Sequence, residues 1–271
     1  MADIDKVFSG SIAQLYEQHL VPLIFEPYAA DLAERLRARR VSRVLEIAAG
    51  TGVVTRALAR SLPQGTSIVA TDLNQAMLDQ GAALGTARPV EWRQADAMRL
   101  PFDDASFDAV VCQFGVMFFP EKPKAFAEAR RVLRPGGVYL FNVWDRIEEN
   151  EFADVVTQAL ATMFPSDPPR FMARTPHGYH DAAVIRRDLA AGGFRAPRIE
   201  TKAARSRAES PRIPAIAYCQ GTPLRNEIEA RDPARLQAAT DHVAAALAQR
   251  FGSGPVDGKI QAIVFSVVAR A

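Results

Sequence analysis

The chain has 271 residues, of which 48% are hydrophobic and 24% are charged, values close to the averages for folded globular proteins. Its 33 basic and 31 acidic residues leave a net charge of +2, which is too small an excess to favour nucleic-acid binding. No apolar stretch approaches the roughly 18 residues that span a bilayer, and the N-terminus carries no signal-peptide pattern, so we expect a cytoplasmic protein. Two cysteines are too few for a disulfide framework or a multi-thiolate metal site.

The N-terminal segment, residues 1–40, predicts a helical cover made of two helices. The helices are expected at 11–20 and 25–39, with Pro22 separating them, because proline interrupts a regular helix. In the second helix the apolar residues recur three or four positions apart, as one buried helix face requires.

Residues 41–145 alternate short apolar stretches with helical patterns. Strands are predicted at 41–48, 66–71, 89–94, 107–112 and 137–144, and helices at 53–60, from Asn74 onwards and at 124–133. Alternating strands and helices predict parallel pairing through right-handed crossovers. Continuous apolar strands indicate a sheet that is buried on both faces. We therefore expect a doubly wound α/β core here.

The last third of the chain is less regular. Helices are predicted at 148–164, at 181–191 and from Asp232 to near Arg250, and strands at 198–204 and 260–268. The segments 165–180 and 206–231 are expected to form loops and short helices. A late strand pair after five parallel strands indicates an antiparallel edge. We expect residues 1–271 to form one domain, with 41–145 as its ligand-binding core, 146–259 on the substrate side and 260–271 as the last strand.

Three successive strand ends carry residues suited to a nucleotide-like ligand, since ligands of open α/β sheets bind beyond the carboxyl ends of the strands. Gly50 and Gly52 follow the first strand, where glycines let the backbone approach a ligand next to a helix N-terminus. Asp72 stands 20 residues after Gly52, at a spacing that suits a carboxylate accepting from both hydroxyls of a ribose. Asp96 follows the third strand.

Each of these signals has an ordinary structural explanation. The glycines would serve any tight turn, Asp72 could cap the next helix, and Asp96 could be a plain loop residue. Their occurrence at three successive strand ends favours a shared ligand. A dinucleotide-binding fold is the structural alternative, but it predicts a third glycine near the position of Thr55 and gives Asp96 no role.

The motif set resembles that of class I S-adenosylmethionine-dependent methyltransferases, and in particular the small-molecule branch that includes quinone-biosynthesis enzymes. The motifs are VLEIAAGTG at 44–52, ATDL at 70–73, ADAMRLPF at 95–102, SFDAVV at 106–111 and RVLRPGG at 131–137. The resemblance covers residues 41–145. It implies a seven-stranded sheet of order 3-2-1-4-5-7-6 with the last strand antiparallel. It also implies S-adenosylmethionine as cofactor, S-adenosylhomocysteine as product and a small molecule as methyl acceptor.

The resemblance also assigns cofactor-binding residues by position. Those expected at the methionine part of the cofactor are Glu46, Ala48, Ala49, Gly50, Thr51 and Gly52. Those expected at the ribose and adenine are Asp72, Leu73, Met77, Asp96, Ala97 and Met98, with Gln113 and Phe114 near the transferring methyl group. Ala48 departs from the family pattern, which usually has glycine at this position.

Methyl transfer to an oxygen, nitrogen or carbon nucleophile can require a base. The candidates are His180, His177, Tyr179, Tyr16 and His19, although each could equally anchor a loop or pack within a helix. The aromatic stretch 113–119 predicts an apolar or aromatic substrate. A protein that binds the cofactor without catalysis is the functional alternative, and methylation of RNA or protein is disfavoured by the weak charge. We expect a monomer or a homodimer.

Overall fold

A computed structural model of the protein describes residues 11–270. The strands are β1 Arg43–Ile47, β2 Ser67–Asp72, β3 Glu91–Gln94, β4 Phe107–Gln113, β5 Leu133–Trp144, β6 Arg198–Ala208 and β7 Val256–Val268. The helices of the first half are α1 Ser11–Leu15, α2 Glu26–Arg37, α3 Val53–Ser61, α4 Gln75–Leu84 and α5 Lys122–Val132. Those of the second half are α6 Glu151–Met163, α7 Phe171–Arg174, α8 Ala182–Ala191, α9 Arg212–Gln220, α10 Leu224–Arg231 and α11 Leu236–Phe251.

The seven strands form one sheet in the order β3-β2-β1-β4-β5-β7-β6, which confirms the predicted order. Strands β3, β2, β1, β4 and β5 pair in parallel. The pairing of β5 with β7 is antiparallel, because the backbone of Gly137 bonds that of Ala269 while Asp145, further along the chain, bonds the earlier Gln261. The antiparallel edge predicted from the late strand pair is therefore confirmed.

The central strands are apolar because both faces of the sheet are covered. On one face, α2 and α3 contribute Leu32, Leu36 and Leu58 to a buried cluster with Val44 and Leu140 of the sheet. Burial of each such side chain contributes roughly 1.5–3 kcal/mol relative to its exposure. This explains why β4 could be recognised from an unbroken apolar sequence.

The N-terminal helices differ from the prediction. Pro22 does not separate two helices but lies inside a π-helix, Tyr16–Phe25, which follows α1 directly and leads into α2. Proline lacks the amide proton that an α-helix requires, and the wider turn of a π-helix can accommodate that loss. The predicted break at Pro22 is therefore wrong, and residues 1–10 of the predicted cover lie outside the described residues.

Two helix starts are capped by the residue at which the sequence predicts the helix to begin, and a third is not. Asp181 caps α8 through the amide of Ala183, and Asp232 accepts from the amide of Ala234, as their sequence positions predict. Asn74 occupies the N-cap position of α4, yet its side chain makes no capping bond. Strands β6 and β7 are longer than predicted, and the segment 206–231 contains α9 and α10.

The chain divides into two compact units. Among the described residues, one unit comprises 11–25, 144–178 and 203–262, and the other comprises 26–143, 179–202 and 263–270. The assignment of all 271 residues to a single domain stays a prediction. Among the described residues, no helix has the length and apolar character needed to cross a membrane.

Candidate active site

The carboxyl ends of four neighbouring parallel strands meet at one edge of the sheet. Strands β3, β2, β1 and β4 are adjacent, and Asp72 at the end of β2 pairs with Gln94 at the end of β3. Every residue that the resemblance assigned to the cofactor lies at or just beyond these strand ends, within the unit that contains residues 26–143. The sheet therefore brings these separated sequence segments to a common edge.

The loop between β1 and α3 has an unusual backbone. Ala48, Gly50 and Gly52 all have positive φ, with values of 55°, 57° and 83°. Glycine adopts this left-handed conformation readily, whereas the Cβ atom of Ala48 makes it unfavourable. Gly52 is the N-cap of α3 and provides no side chain for the first amides of the helix. The loop therefore turns tightly in front of a helix N-terminus, an arrangement that favours polar or anionic ligand groups.

Glu46 is a buried carboxyl group beneath this loop. Only 1% of the residue is exposed, and Thr55 donates its hydroxyl proton to Glu46 Oε2 at 2.5 Å. Burial raises the pKa of Glu46 to about 8, and the nearby Asp72 charge raises it further, although the Thr55 hydrogen bond acts in the opposite direction. Thr55, which replaces the third glycine of a dinucleotide motif, thus orients this acid.

Asp72 connects the ends of β1 and β2. Its Oδ2 accepts from the Gly50 amide at 2.8 Å, and its Oδ1 accepts from the Asn74 amide at the same distance. Burial raises the pKa of Asp72, while the backbone hydrogen bonds from Asn74 and Gly50 lower it. Each carboxylate oxygen can accept two hydrogen bonds. Because Oδ1 also accepts from Asn74 Nδ2 at 3.5 Å, the remaining capacity for a ligand hydroxyl group lies on Oδ2.

An exposed apolar side chain follows β2, and a carboxylate follows β3. Leu73 is 50% exposed although it is a large apolar residue, and Met77 is buried close by in α4. Asp96 Oδ1 accepts from the Met98 amide at 2.8 Å, which fixes the turn after β3, and Ala97 is buried within it. An exposed leucine beside an oriented carboxylate is suited to the face and edge of a heterocyclic base.

The end of β4 is held by a residue that the sequence analysis missed. The Phe114 amide donates to Asn142 Oδ1 at 3.0 Å, and the Phe114 ring packs edge-on against Tyr28 with centroids 5.3 Å apart. Phe114 itself has a φ of 50°, and Gln113 before it is buried. A buried asparagine within the apolar sequence of β5 was the signal that could have identified Asn142.

Thr51 provides a test of whether this edge fits a ligand. Thr51 is only 1% exposed, and its hydroxyl group has no hydrogen-bond partner among residues 11–270. Buried hydroxyl groups are normally hydrogen-bonded, so this atom is suited to a polar group that enters the loop. The carboxyl groups of Glu46, Asp72 and Asp96 can accept hydrogen bonds, and S-adenosylmethionine carries ammonium, hydroxyl and amino donors, so the chemistry of these residues fits that cofactor.

Two of the five candidate bases lie in an aromatic cluster within the unit that contains residues 144–178. Tyr16 stacks on Phe25 at 5.1 Å, Phe25 lies 6.0 Å from Trp144, and Trp144 lies 5.9 Å from His177. We call these four residues the aromatic cluster. Trp144 is the last residue of β5, and no sequence signal had singled it out. His19 is half-buried on the same π-helix as Tyr16.

His177 is held in one orientation. Its Nδ1 lies 2.9 Å from the backbone carbonyl oxygen of Asp145. Because a carbonyl oxygen only accepts hydrogen bonds, Nδ1 carries the proton, and Nε2 is the basic nitrogen of the neutral ring. This hydrogen bond therefore selects the Nδ1-protonated tautomer of the neutral ring.

Tyr179 is anchored within the other unit. Its hydroxyl group donates to Asp188 Oδ2 at 2.8 Å, and the Lys122 ammonium group lies 4.7 Å from its ring centroid. Burial raises the pKa of Tyr179 well above its usual value, and the hydrogen bond to Asp188 adds to the increase. The phenol therefore stays protonated at neutral pH. His180, the next residue, is half-buried.

Comparison with known proteins places this geometry in a family. The sequence model described as "Methyltransferase domain" matches residues 45–141. The ubiquinone/menaquinone biosynthesis C-methyltransferase UbiE of Stutzerimonas stutzeri is 31% identical over 204 residues, which cover 70% of this chain and 75% of that protein. The chain belongs to the class I S-adenosylmethionine-dependent methyltransferases. It is an enzyme of this family, and S-adenosylmethionine is its cofactor.

Other relatives of this methyltransferase agree. A demethylmenaquinone methyltransferase of Clavibacter sepedonicus is 47% identical over 96 residues, or 35% of this chain and 38% of that protein. The YcgJ protein of Bacillus subtilis has a TM-score of 0.57 at 19% identity, covering 90% of this chain and 99% of that one. A Haemonchus contortus phosphoethanolamine N-methyltransferase in complex with S-adenosylmethionine has a TM-score of 0.60 at 18% identity. The match covers 100% of this chain and 61% of that one. At these identities the two structures show the fold alone.

Proposed function

We propose that this methyltransferase transfers a methyl group to a ring carbon of a small, planar, largely apolar aromatic molecule. The aromatic cluster Tyr16–Phe25–Trp144–His177 carries the proposal, since aromatic side chains pack favourably against flat rings. The names of the relatives, a quinone-biosynthesis C-methyltransferase and a demethylmenaquinone methyltransferase, support a quinone-type ring and carbon as the methylated atom.

The geometry of the sheet edge supports the cofactor-binding residues that we propose. Glu46 and Thr51 would bind the ammonium and carboxylate groups of the methionine part, because one is an acceptor and the other has a hydroxyl proton to donate. Asp72 would accept from the ribose hydroxyl groups. Asp96 would accept from the adenine amino group, with Leu73 against the ring. The residues proposed to complete the site are Ala48, Ala49, Gly50, Gly52, Met77, Ala97, Met98, Gln113 and Phe114.

S-adenosylmethionine supplies a methyl group on a positively charged sulfur, so the group leaves without its bonding electrons and a neutral thioether remains. The protein must therefore align the ring carbon, the methyl group and the sulfur, and such alignment can equal effective molarities on the order of 10⁵ M. The rigid loop of Ala48 and the turn at Phe114 are suited to this task, because both are fixed by backbone contacts.

Methylation of a ring carbon also releases the proton which that carbon carried. We assign His177 Nε2 as the acceptor, because the Asp145 carbonyl holds the ring with Nδ1 protonated. Tyr179 is less suited, since its phenol already donates to Asp188 and stays protonated. The proposed partner is the small-molecule substrate, and the proposed assembly is a monomer or homodimer in the cytoplasm.

The experiment compares two reduced naphthohydroquinones in the presence of S-adenosylmethionine with a deuterated methyl group. One acceptor has a free ring carbon next to a hydroxyl-bearing carbon, and the other has methyl groups at both such positions. We expect mass spectrometry to show one deuterated methyl group on the first compound only. Methylation of both compounds would indicate oxygen as the acceptor atom and contradict carbon methylation.

A pair of variants tests the role of the aromatic cluster. Tyr16→Phe keeps the ring that stacks on Phe25, whereas Tyr16→Ala removes it. We expect Tyr16→Ala to raise KM for the hydroquinone about tenfold, equivalent to roughly 1.4 kcal/mol, and Tyr16→Phe to keep the wild-type value. Equal KM values in both variants would remove the support for an aromatic substrate. Cofactor binding without transfer to either hydroquinone would contradict the proposed substrate class.

A further inference from the structure

Gly115 lies against the loop Ala48–Gly52, which is proposed to bind the cofactor. A Cβ atom built at Gly115 would lie 2.5 Å from the Cβ of Ala48 and 2.8 Å from Cys112 Sγ. Non-bonded carbon atoms are most favourable at about 3.5–4.0 Å, so no side chain fits at position 115 while Ala48 keeps its place. The absent side chain of Gly115 thus provides the space that the methyl group of Ala48 occupies.

Backbone conformation does not explain why position 115 is glycine. Gly115 has φ −96° and ψ −33°, which place it in the right-handed helical region that every residue can adopt. The neighbouring Phe114, by contrast, has a φ of 50° and is not glycine. The requirement for glycine at 115 is therefore a matter of space, and the nearest atom in that space belongs to Ala48.

Neither side of this contact can move away easily. The Ala49 amide donates to the Thr71 carbonyl oxygen at 2.9 Å, which holds the loop against β2. On the opposite side, the Phe114 amide is held by Asn142, and the Phe114 ring by Tyr28. Close-packed interiors transmit a displacement rather than absorb it, so a larger side chain at 115 would displace the loop.

We propose that Gly115 is a positioning residue for the cofactor, acting through the methyl group of Ala48. The pair sets the separation between the Ala48–Gly52 loop and the β4 turn, the two segments assigned to the methionine part and the methyl group. Gly115 itself need not touch the cofactor. Ala48, which departs from the family pattern, is tolerated here because Gly115 leaves space for it.

The test is a double-mutant cycle in which S-adenosylhomocysteine affinity is measured by titration calorimetry. Gly115→Ala is made in the wild-type chain and in the Ala48→Gly chain. We expect the substitution to weaken binding at least tenfold in the first and less than threefold in the second. A difference of this size lies within the range of about 2- to 150-fold measured for residues in contact.

Two further variants separate the explanations. Cys112→Ser/Gly115→Ala tests whether the Cys112 contact alone requires glycine, and Gly65→Ala is the control, since a Cβ atom at Gly65 would meet nothing within 4 Å. Rescue by Cys112→Ser but not by Ala48→Gly would overturn the proposal, as would wild-type affinity in Gly115→Ala. If Gly115→Ala does not fold, the double variant Ala48→Gly/Gly115→Ala must fold and bind, and its failure would also overturn the proposal.

Discussion

The Asp72 carboxylate accepts a hydrogen bond from the Gly50 amide at 2.8 Å, so the end of β2 holds the loop that follows β1. A second oxygen of the same carboxylate accepts from the Asn74 amide. One side chain therefore fixes the backbone after two adjacent strands, and its Oδ2 keeps acceptor capacity for a ligand hydroxyl group.

Replacement of Asp72 by alanine removes the proposed charge-assisted hydrogen bonding to the ribose, worth roughly 1.5–3 kcal/mol. We expect Asp72→Ala to weaken S-adenosylhomocysteine binding about 10- to 150-fold in titration calorimetry. Asp79→Ala is the matched control, because Asp79 is exposed on α4 and accepts from Gln75. Equal affinity in the two variants would contradict the proposed ribose contact.

The buried carboxyl group of Glu46 makes the stability of the folded protein depend on pH. Its pKa is raised from 4.5 to about 8 by burial, so between these values the folded state binds a proton that the unfolded state has lost. Stability therefore decreases as pH rises through this interval, with a slope of up to about 1.4 kcal/mol per pH unit. We expect Glu46→Gln to flatten this decrease, measured by denaturant unfolding at several pH values.

The control for this experiment is Glu91→Gln on β3, where the side chain is exposed. In that variant the free energy of unfolding should change with pH at the same slope as in the wild-type protein. Parallel curves for the wild-type protein and Glu46→Gln would show that the buried acid is not protonated in the folded state.

Replacement of His177 by asparagine keeps a donor for the Asp145 carbonyl and removes the basic nitrogen. We expect His177→Asn to lower kcat about 10²- to 10⁴-fold, which is the usual range for loss of a general base, while S-adenosylhomocysteine affinity stays at the wild-type value. His242→Asn is the control, since His242 Nε2 bonds Thr162 and the Ala159 carbonyl. Similar kcat losses in both variants would argue against proton transfer to His177.

Lysine cannot replace arginine at position 131 without loss of stability. The Arg131 guanidinium group binds both oxygens of Glu128 and also donates to Asp104 and to the carbonyl oxygens of Phe102 and Leu100. Lysine lacks the planar fork for this set of acceptors. We expect Arg131→Lys to reduce the free energy of unfolding by about 1–3 kcal/mol.

The control is Arg130→Lys, in the same turn of α5, where one nitrogen donates to the Arg270 carbonyl oxygen near the surface. In thermal and denaturant unfolding, the free energy of unfolding of Arg130→Lys should stay within about 0.5 kcal/mol of the wild-type value. A loss as large as that of Arg131→Lys would mean that the Arg131 acceptors do not require a guanidinium group.

The sequence by itself determined the alternation of strands and helices that builds the parallel part of the sheet. The β4 strand and the turn at Gly52 were predictable because burial on both faces and a tight turn leave local patterns in composition. Sheet order came from the resemblance, and the hydrogen bonds of Gly137 with Ala269 bear out its antiparallel edge.

Only the tertiary structure decided which residues distant in sequence contact one another. The aromatic cluster that joins Tyr16 to His177 and the contact of Ala48 with Gly115 each depend on residues far apart in sequence. Such contacts leave no local periodicity, because they arise from packing between segments whose positions the fold must first establish. The protonation of Glu46 belongs to the same class, since it follows from burial rather than from residue type.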